Sequence, residues 1–232
     1  MNTHKNDFIA LFQALSRHRR QREVLDDFAR LTANLLDPCA SNSPTAKKLT
    51  SEIAGRYSDQ ERKQLESLLR ILIKGLQCEW GDFLGACLME LSIGNDDMGQ
   101  YFTPDSLARL KTKLTLDNYH SEIKKHGFIT VHEPTCGAGG LIIAIAGELA
   151  DDGYNPAEHM FACCIDIDHL AADLAYIQLS LLGIAAEVIT GNTLTMKFSR
   201  TRYTPAYYLN GFSERLRFRQ LYESIAPYFQ AG

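Results

Sequence analysis

The sequence predicts an α/β protein: a helical N-terminal part (residues 1–98) followed by a doubly wound sheet (99–232). Three observations carry this. From about residue 126 apolar runs alternate with helical stretches, giving strands at 127–133, 159–166 and 186–190 and helices at about 139–150 and 169–182. The run FACCIDID (161–168) is apolar at successive positions, as a central parallel strand buried on both faces must be. Before residue 125 the apolar spacing is helical, interrupted by loops.

Taken in order, residues 6–36 carry Phe8, Leu11, Phe12 and Leu15, then Val24, Leu25, Phe28, Leu31 and Leu35, at helical intervals. Between them Arg17, Arg19, Arg20 and Arg22 read as a solvated face, with a phosphate-binding patch as the alternative. DPCASNSPT (37–45) reads as a loop. Ser58 followed by Glu61 is a capping box opening a helix over 58–77, with Leu65, Leu68, Leu69, Leu72 and Leu76 as its stripe. A further helix is expected at 80–92, then a loop, then a short helix opened by Pro104. The tail 213–229 reads as an amphipathic helix, with Arg215, Arg217 and Arg219 near its apolar side.

At 232 residues, 45% hydrophobic and 22% charged, the chain has the composition of a globular protein. A net charge of −4 provides no global basic field, so a nucleic-acid partner would need a local patch. None of the six cysteines forms a CxxC pair, so no metal site is expected and reduced thiols are. There is no uninterrupted apolar signal region and no membrane-length run; a cytoplasmic protein with no membrane partner is expected.

VHEPTCGAGGLIIAIA (131–146) holds the chemistry. A strand ends in Glu133 and Pro134, and Gly137, Gly139 and Gly140 lead into a helix. Such a turn brings backbone N–H groups and the positive end of a helix against a ligand. Asp166 ends the next strand, where an acid can accept both hydroxyls of a ribose. The segment GAGGLI lacks the third glycine of the dinucleotide fingerprint, and no Gly-Lys-Ser/Thr follows. S-adenosylmethionine needs no phosphate site, and its amine wants an acid near the first turn, which Glu133 supplies.

GQYFTP (99–104), EPTCGAGGL (133–141), DID (166–168) and GNTL (191–194) occur in this order, and DFLGACLMEL (82–91) precedes them. Together they resemble the modification subunit of type I restriction–modification systems, in the adenine-N6 DNA methyltransferase superfamily. The resemblance implies a Rossmann-like S-adenosylmethionine-dependent methyltransferase sheet and a DNA partner. It implies that Thr103 contacts the carboxylate of S-adenosylmethionine, with Tyr101 and Phe102 shielding the pocket. Glu133 would hold the amine, and Thr135, Cys136, Gly137 and Gly139 would form the turn beneath the methionine part. Asp166 would take the ribose, and Asn192 the adenine amine, with Leu194 packing nearby.

The family's catalytic tetrapeptide, Asn/Asp-Pro-Pro-Tyr/Phe, accepts both N–H bonds of a flipped-out adenine and stacks on its ring. The nearest match here is Thr204-Pro205-Ala206-Tyr207. Pro205 keeps a backbone carbonyl and Tyr207 an aromatic ring, but a threonine hydroxyl replaces the amide. Losing one preorganised acceptor costs ~10²–10³ in rate, so weak or partner-dependent activity is expected. The alternatives are a non-catalytic regulator, decoy or partner subunit, or a methyltransferase acting on RNA, protein or a small molecule. The sheet is expected to be truncated relative to the family, leaving an open edge at its first strand. The C-terminal segment, the N-terminal helices, a homodimer or a partner subunit would have to cover that edge.

Overall fold

A computed structural model describes residues 3–93 and 119–230 of the chain, with side chains to residue 226. The expected helix over 6–36 is two helices, α1 (Thr3–Leu15) and α2 (Gln21–Leu36). They separate at Ser16, whose buried hydroxyl donates back to the Phe12 carbonyl at 2.8 Å. α3 (Pro44–Ala54) begins inside the expected loop; Ser43 caps it by accepting from the Ala46 N–H at 3.3 Å, and Pro44 supplies a preset first turn. α4 (Asp59–Cys78) carries the expected capping box, with Ser58 and Glu61 bonded reciprocally at 3.3 and 2.7 Å. α5 (Phe83–Leu91) is capped by Asp82.

After α6 (Tyr119–His126) come β1 (Ile129–Glu133), α7 (Gly140–Asp151), the short α8 (Pro156–His159), β2 (Met160–Asp166), α9 (His169–Leu181) and β3 (Ala185–Asn192). β4 (Lys197–Tyr203), α10 (Pro205–Leu209) and α11 (Phe212–Gln230) follow. The sheet order is β1-β2-β3-β4, with β1, β2 and β3 parallel and β4 antiparallel to β3. The fold is thus α/β with a mostly parallel sheet, as the alternation predicts.

Helices lie on both faces of the sheet. On one face Ile129, Met160, Ala162, Cys164, Ala186 and Val188 pack with residues of α7 and α9 and, beyond them, with the N-terminal helices. That cluster runs unbroken from Phe8 to Val188, so the helical part and the sheet share one core. Phe8 anchors its N-terminal end, with the rings of Phe12, Phe28 and Phe83 at 6.5, 5.9 and 5.6 Å. Each such buried ring stabilises the fold by roughly 1.5–3 kcal/mol. On the other face Phe128, Phe161 and Ala185 pack with Ala206 of α10 and Phe212 of α11.

β4 was not expected from sequence. Its alternation is polar: Arg200 and Arg202 turn towards Asp173 on α9, with Arg200 Nη2 at 2.6 Å from the carboxylate. Tyr203, on the opposite side, stacks on Tyr207 and donates to Glu187 at 2.6 Å. Charged side chains on a terminal strand also discourage pairing with other chains.

Candidate functional site

Parallel register brings the ends of three strands side by side. Glu133 lies opposite Cys164 in β2, and Asp166 lies opposite Thr190 in β3. Asn192 closes β3 two residues further on. Two acids and an amide therefore sit along one edge of the sheet, at the carboxyl ends of the strands, where ligands bind in this topology.

The turn after β1 is tied to that edge by its backbone. Cys136 N–H donates to the Ile165 carbonyl at 2.8 Å, and Gly137 N–H donates to Asp166 Oδ2 at 2.8 Å. Gly137 and Gly139 have φ of 54° and 91°, the left-handed region in which any Cβ is strained. Gly139 then starts α7 as its N-cap, with no side-chain capping hydrogen bond.

Asp166 accepts a second backbone bond, from Asp168 N–H at 2.9 Å. Burial pushes its carboxyl above the ordinary aspartate range, opposed by these two N–H donors. Capping of α9 falls to Asp168, which accepts from Leu170 N–H at 3.2 Å and pairs with Arg22 through both oxygens, at 3.0 and 2.9 Å. Asp166 therefore does not cap α9. A carboxylate has about four acceptor positions, and two backbone bonds leave capacity for two ribose hydroxyls.

The remaining expected residues divide. Thr135 is exposed and donates to Glu133 Oε1 at 3.4 Å, so both lie at the mouth of the turn. Cys136 is buried beneath it; a hydrogen bond with Cys164 and burial hold its thiol well above the usual range. Its side chain thus belongs to the floor, not the binding surface. Asn192 Oδ1 accepts from Leu194 and Thr195 N–H at 2.9 and 3.1 Å, so its carbonyl shapes the loop that follows β3. An adenine amine would have to compete for that oxygen. Leu194 is 95% exposed. Thr193, next to Asn192, donates to the Pro134 carbonyl at 2.8 Å and ties this loop to the glycine turn. Tyr101, Phe102 and Thr103 lie outside the described residues.

The expected catalytic tetrapeptide is elsewhere. Thr204 is fully buried; its hydroxyl donates to Ile184 carbonyl at 2.7 Å and accepts from Ala186 N–H at 2.9 Å. Ala186 and Asn192 mark opposite ends of β3, which at about 3.3 Å per residue lie ~20 Å apart. The hairpin into β4 carries the chain back to the amino end of β3, so Thr204, Pro205 and Tyr207 close the far side of the sheet from Asp166. Tyr207 stacks on Tyr203 at 4.4 Å and lies 5.9 Å from Phe161. Thr204, Pro205 and Tyr207, expected as the catalytic segment, therefore do not stand beside Glu133, Asp166 and Asn192 in this structure.

Sequence reading missed a set that braces the turn from the helical side. Gln178, fully buried in α9, donates to Asp82 Oδ1 at 2.7 Å and to Ala138 carbonyl at 2.9 Å, and accepts from Leu84 N–H at 2.9 Å. Trp80 donates to Ile143 carbonyl in α7 at 2.9 Å. One signal was present: a glutamine inside the apolar run LAYIQLSLL.

The model of the N-6 DNA methylase family matches residues 88–206, just over half of the 232-residue chain. The chain belongs to the N-6 DNA methylase family. The matched span contains the glycine turn, Asp166 and Asn192, and brackets residues 99–104. Comparison with curated proteins returns no match. Among solved structures, a candidate class I S-adenosylmethionine-dependent methyltransferase from Listeria monocytogenes is similar at 16% identity, over 80% of this chain and 52% of its own, with a TM-score of 0.47. The chain therefore spans about half the length of that structure.

Proposed function

We propose that this N-6 DNA methylase family member binds S-adenosylmethionine at the carboxyl ends of β1–β3. We further propose that it serves adenine methylation of DNA only together with groups outside Thr204–Tyr207, contributed by a partner subunit. The observation that carries the cofactor reading is the joint between turn and acid: Gly137 N–H on Asp166 Oδ2 at 2.8 Å, with α9 capped by Asp168 instead. The donor set suits this ligand. Glu133 offers a negative charge to an amine, Asp166 offers acceptors to a ribose, and the turn admits backbone contact without a phosphate-binding lysine. When bound, S-adenosylmethionine supplies an electrophilic methyl group.

The partner-dependent reading rests on Thr204. The poorly nucleophilic adenine amine needs two acceptors held near the methyl group, and Thr204 spends its hydroxyl on β3 backbone at the other end of the sheet. On this reading the isolated chain binds the cofactor and transfers methyl groups to DNA slowly or not at all. The test is calorimetry with S-adenosylhomocysteine, followed by labelled methyl transfer to duplex DNA with and without candidate partner subunits. Micromolar binding with transfer appearing only on addition of a partner is the expected result. Absence of binding at millimolar ligand overturns the cofactor reading, and robust transfer by the chain alone overturns partner dependence.

A further inference from the structure

The carbonyl expected to read an adenine amine is already spent. Asn192 Oδ1 accepts from Leu194 and Thr195 N–H at 2.9 and 3.1 Å, which occupies both of its lone pairs. An aromatic ring stands beside it. Ser199 forms a β-bulge in β4, so that Thr190 lies opposite Arg200 while the next residue, Gly191, lies opposite Phe198. The Ser199 hydroxyl donates to the Thr190 carbonyl at 3.1 Å and fixes the bulge. In a regular strand Phe198 and Arg200 would share a face. The bulge leaves Arg200 with Asp173 on α9, at 2.6 Å, and turns Phe198 to the opposite face. Its ring lies where a Gly191 side chain would point: an ideal Cβ there would be 2.7 Å from Phe198 Cδ1 and 2.5 Å from the Lys197 carbonyl oxygen. Gly191 is therefore demanded by the hairpin that crosses it and not by backbone twist, since its φ is not positive. Phe198 is nevertheless 43% exposed. An apolar ring thus stands open at Gly191, one residue from Asn192 and one from Thr190, the register partner of Asp166.

We propose that Phe198 is the base-binding residue of this site: its ring stacks on the adenine of the cofactor, while Asn192 shapes the loop instead of reading the adenine amine. The inference deepens the cofactor reading above and rests on it for the identity of the ligand. A ribose held by Asp166 sits one strand spacing, about 4.8 Å, from the end of β3. A base carried by that ribose towards Asn192 reaches Gly191, where the open ring stands. Stacking needs only the π-face that every base has, so it binds adenine without a partner for the exocyclic amine. Ser199 acts through Phe198 and is a positioning residue.

The test pairs two ligands, S-adenosylhomocysteine and S-inosylhomocysteine, on the full chain by calorimetry. The second ligand replaces the exocyclic amine with a carbonyl and keeps the stacking face. Phe198→Leu keeps apolar bulk over Gly191 and removes the aromatic face, and Phe198→Tyr keeps that face. Phe198→Leu should lose roughly five- to hundredfold in S-adenosylhomocysteine affinity, the range of one stacked base, while Phe198→Tyr stays within about threefold. The unmodified chain should bind the two ligands within about threefold of each other, because the amine has no acceptor. Undiminished binding by Phe198→Leu overturns the proposal. So does an equal loss in both variants, which would mean that Phe198 merely supports the hairpin, and so does a loss of tenfold or more for S-inosylhomocysteine, which would mean that the amine is read. Each of these outcomes leaves the cofactor reading standing. If the unmodified chain binds neither ligand, the cofactor reading and this assignment fall together.

Discussion

Thr204 ties the end of β4 to the start of β3 through one hydroxyl, accepting from Ala186 N–H and donating to Ile184 carbonyl. Thr204→Val keeps the shape and orphans both groups, at about 1–3 kcal/mol per buried unsatisfied group. Chemical denaturation should register that loss while cofactor affinity stays within error. Rebuilding the family tetrapeptide with Thr204→Asn and Ala206→Pro should yield no adenine methylation, because the segment sits ~20 Å along β3 from the site; turnover above background in a labelled assay would sink this assignment. Asp166 behaves differently. Asp166→Ala removes the acceptor for Gly137 and for the proposed ribose, and should abolish most of the thermal shift produced by S-adenosylhomocysteine in the unmodified chain, ~2.7 kcal/mol at a hundredfold excess over Kd. Its burial also has a pH signature. A carboxyl whose native pKa is raised binds its proton more tightly folded than unfolded, so its contribution to stability is full below the ordinary aspartate value near pH 4 and is lost as pH rises through the raised native value. Denaturation midpoints measured across that window should fall with a steeper slope for the unmodified chain than for Asp166→Ala.

At the scale of elements, the glycine turn is the stiffest joint of the site. Gly139 has a φ of 91°, and a Cβ there would meet Ala175 only at ordinary contact distance, 3.5 Å. The cost of Gly139→Ala is therefore backbone strain, about 1–2 kcal/mol, and a stability loss well above that range would mean that packing against α9 decides instead. The expected strands 127–133, 159–166 and 186–190 fall on β1, β2 and β3, and the helices 139–150 and 169–182 fall on α7 and α9, each within two residues at either end. These elements are legible because burial on both sides imposes continuous apolar runs and a fixed strand–turn–helix grammar. β4 and α3 are not. Lys197, Ser199, Arg200, Thr201 and Arg202 carry no apolar alternation, and they form a strand because β3 offers an edge and Asp173 offers an ion pair. α3 rests on a Ser-Pro start that reads equally well as a turn.

For the whole molecule, α10 and the start of α11 protect the second face of the sheet by covering Phe128, Phe161 and Ala185. Deleting residues 203–232 exposes this face and removes Arg215, which lies over the Phe128 ring at 4.8 Å. The shortened chain should aggregate on expression, and a soluble deletion variant that melts cooperatively would contradict this role. Arginines of the N-terminal cluster and of the tail helix serve partly as internal braces. Arg19 donates to the Arg56 carbonyl and stacks on Tyr57, Arg22 pairs with Asp168, and Arg219 pairs with Glu122 and Glu223. None of the described helices is long and apolar enough to cross a membrane.

The sequence by itself determined the alternation of strands and helices, the glycine turn after Glu133 and the acid that ends β2. Each of these is a local matter of residue type and spacing: apolar runs, φ preferences of glycine, and one acid at a strand end. Tertiary structure decided what each polar residue does. That Asp168 caps α9 while Asp166 holds the turn depends on Gly137 approaching from the turn after β1, 29 residues earlier. Asp82 and Gln178, 96 residues apart, become one brace only when α5 and α9 pack together. Thr204 moves from a catalytic spacing to a buried staple because β4 pairs antiparallel with β3 and carries it to the far end of the sheet. Hydrogen-bond partners this distant along the chain leave no periodicity in the sequence, so only the packed core specifies them.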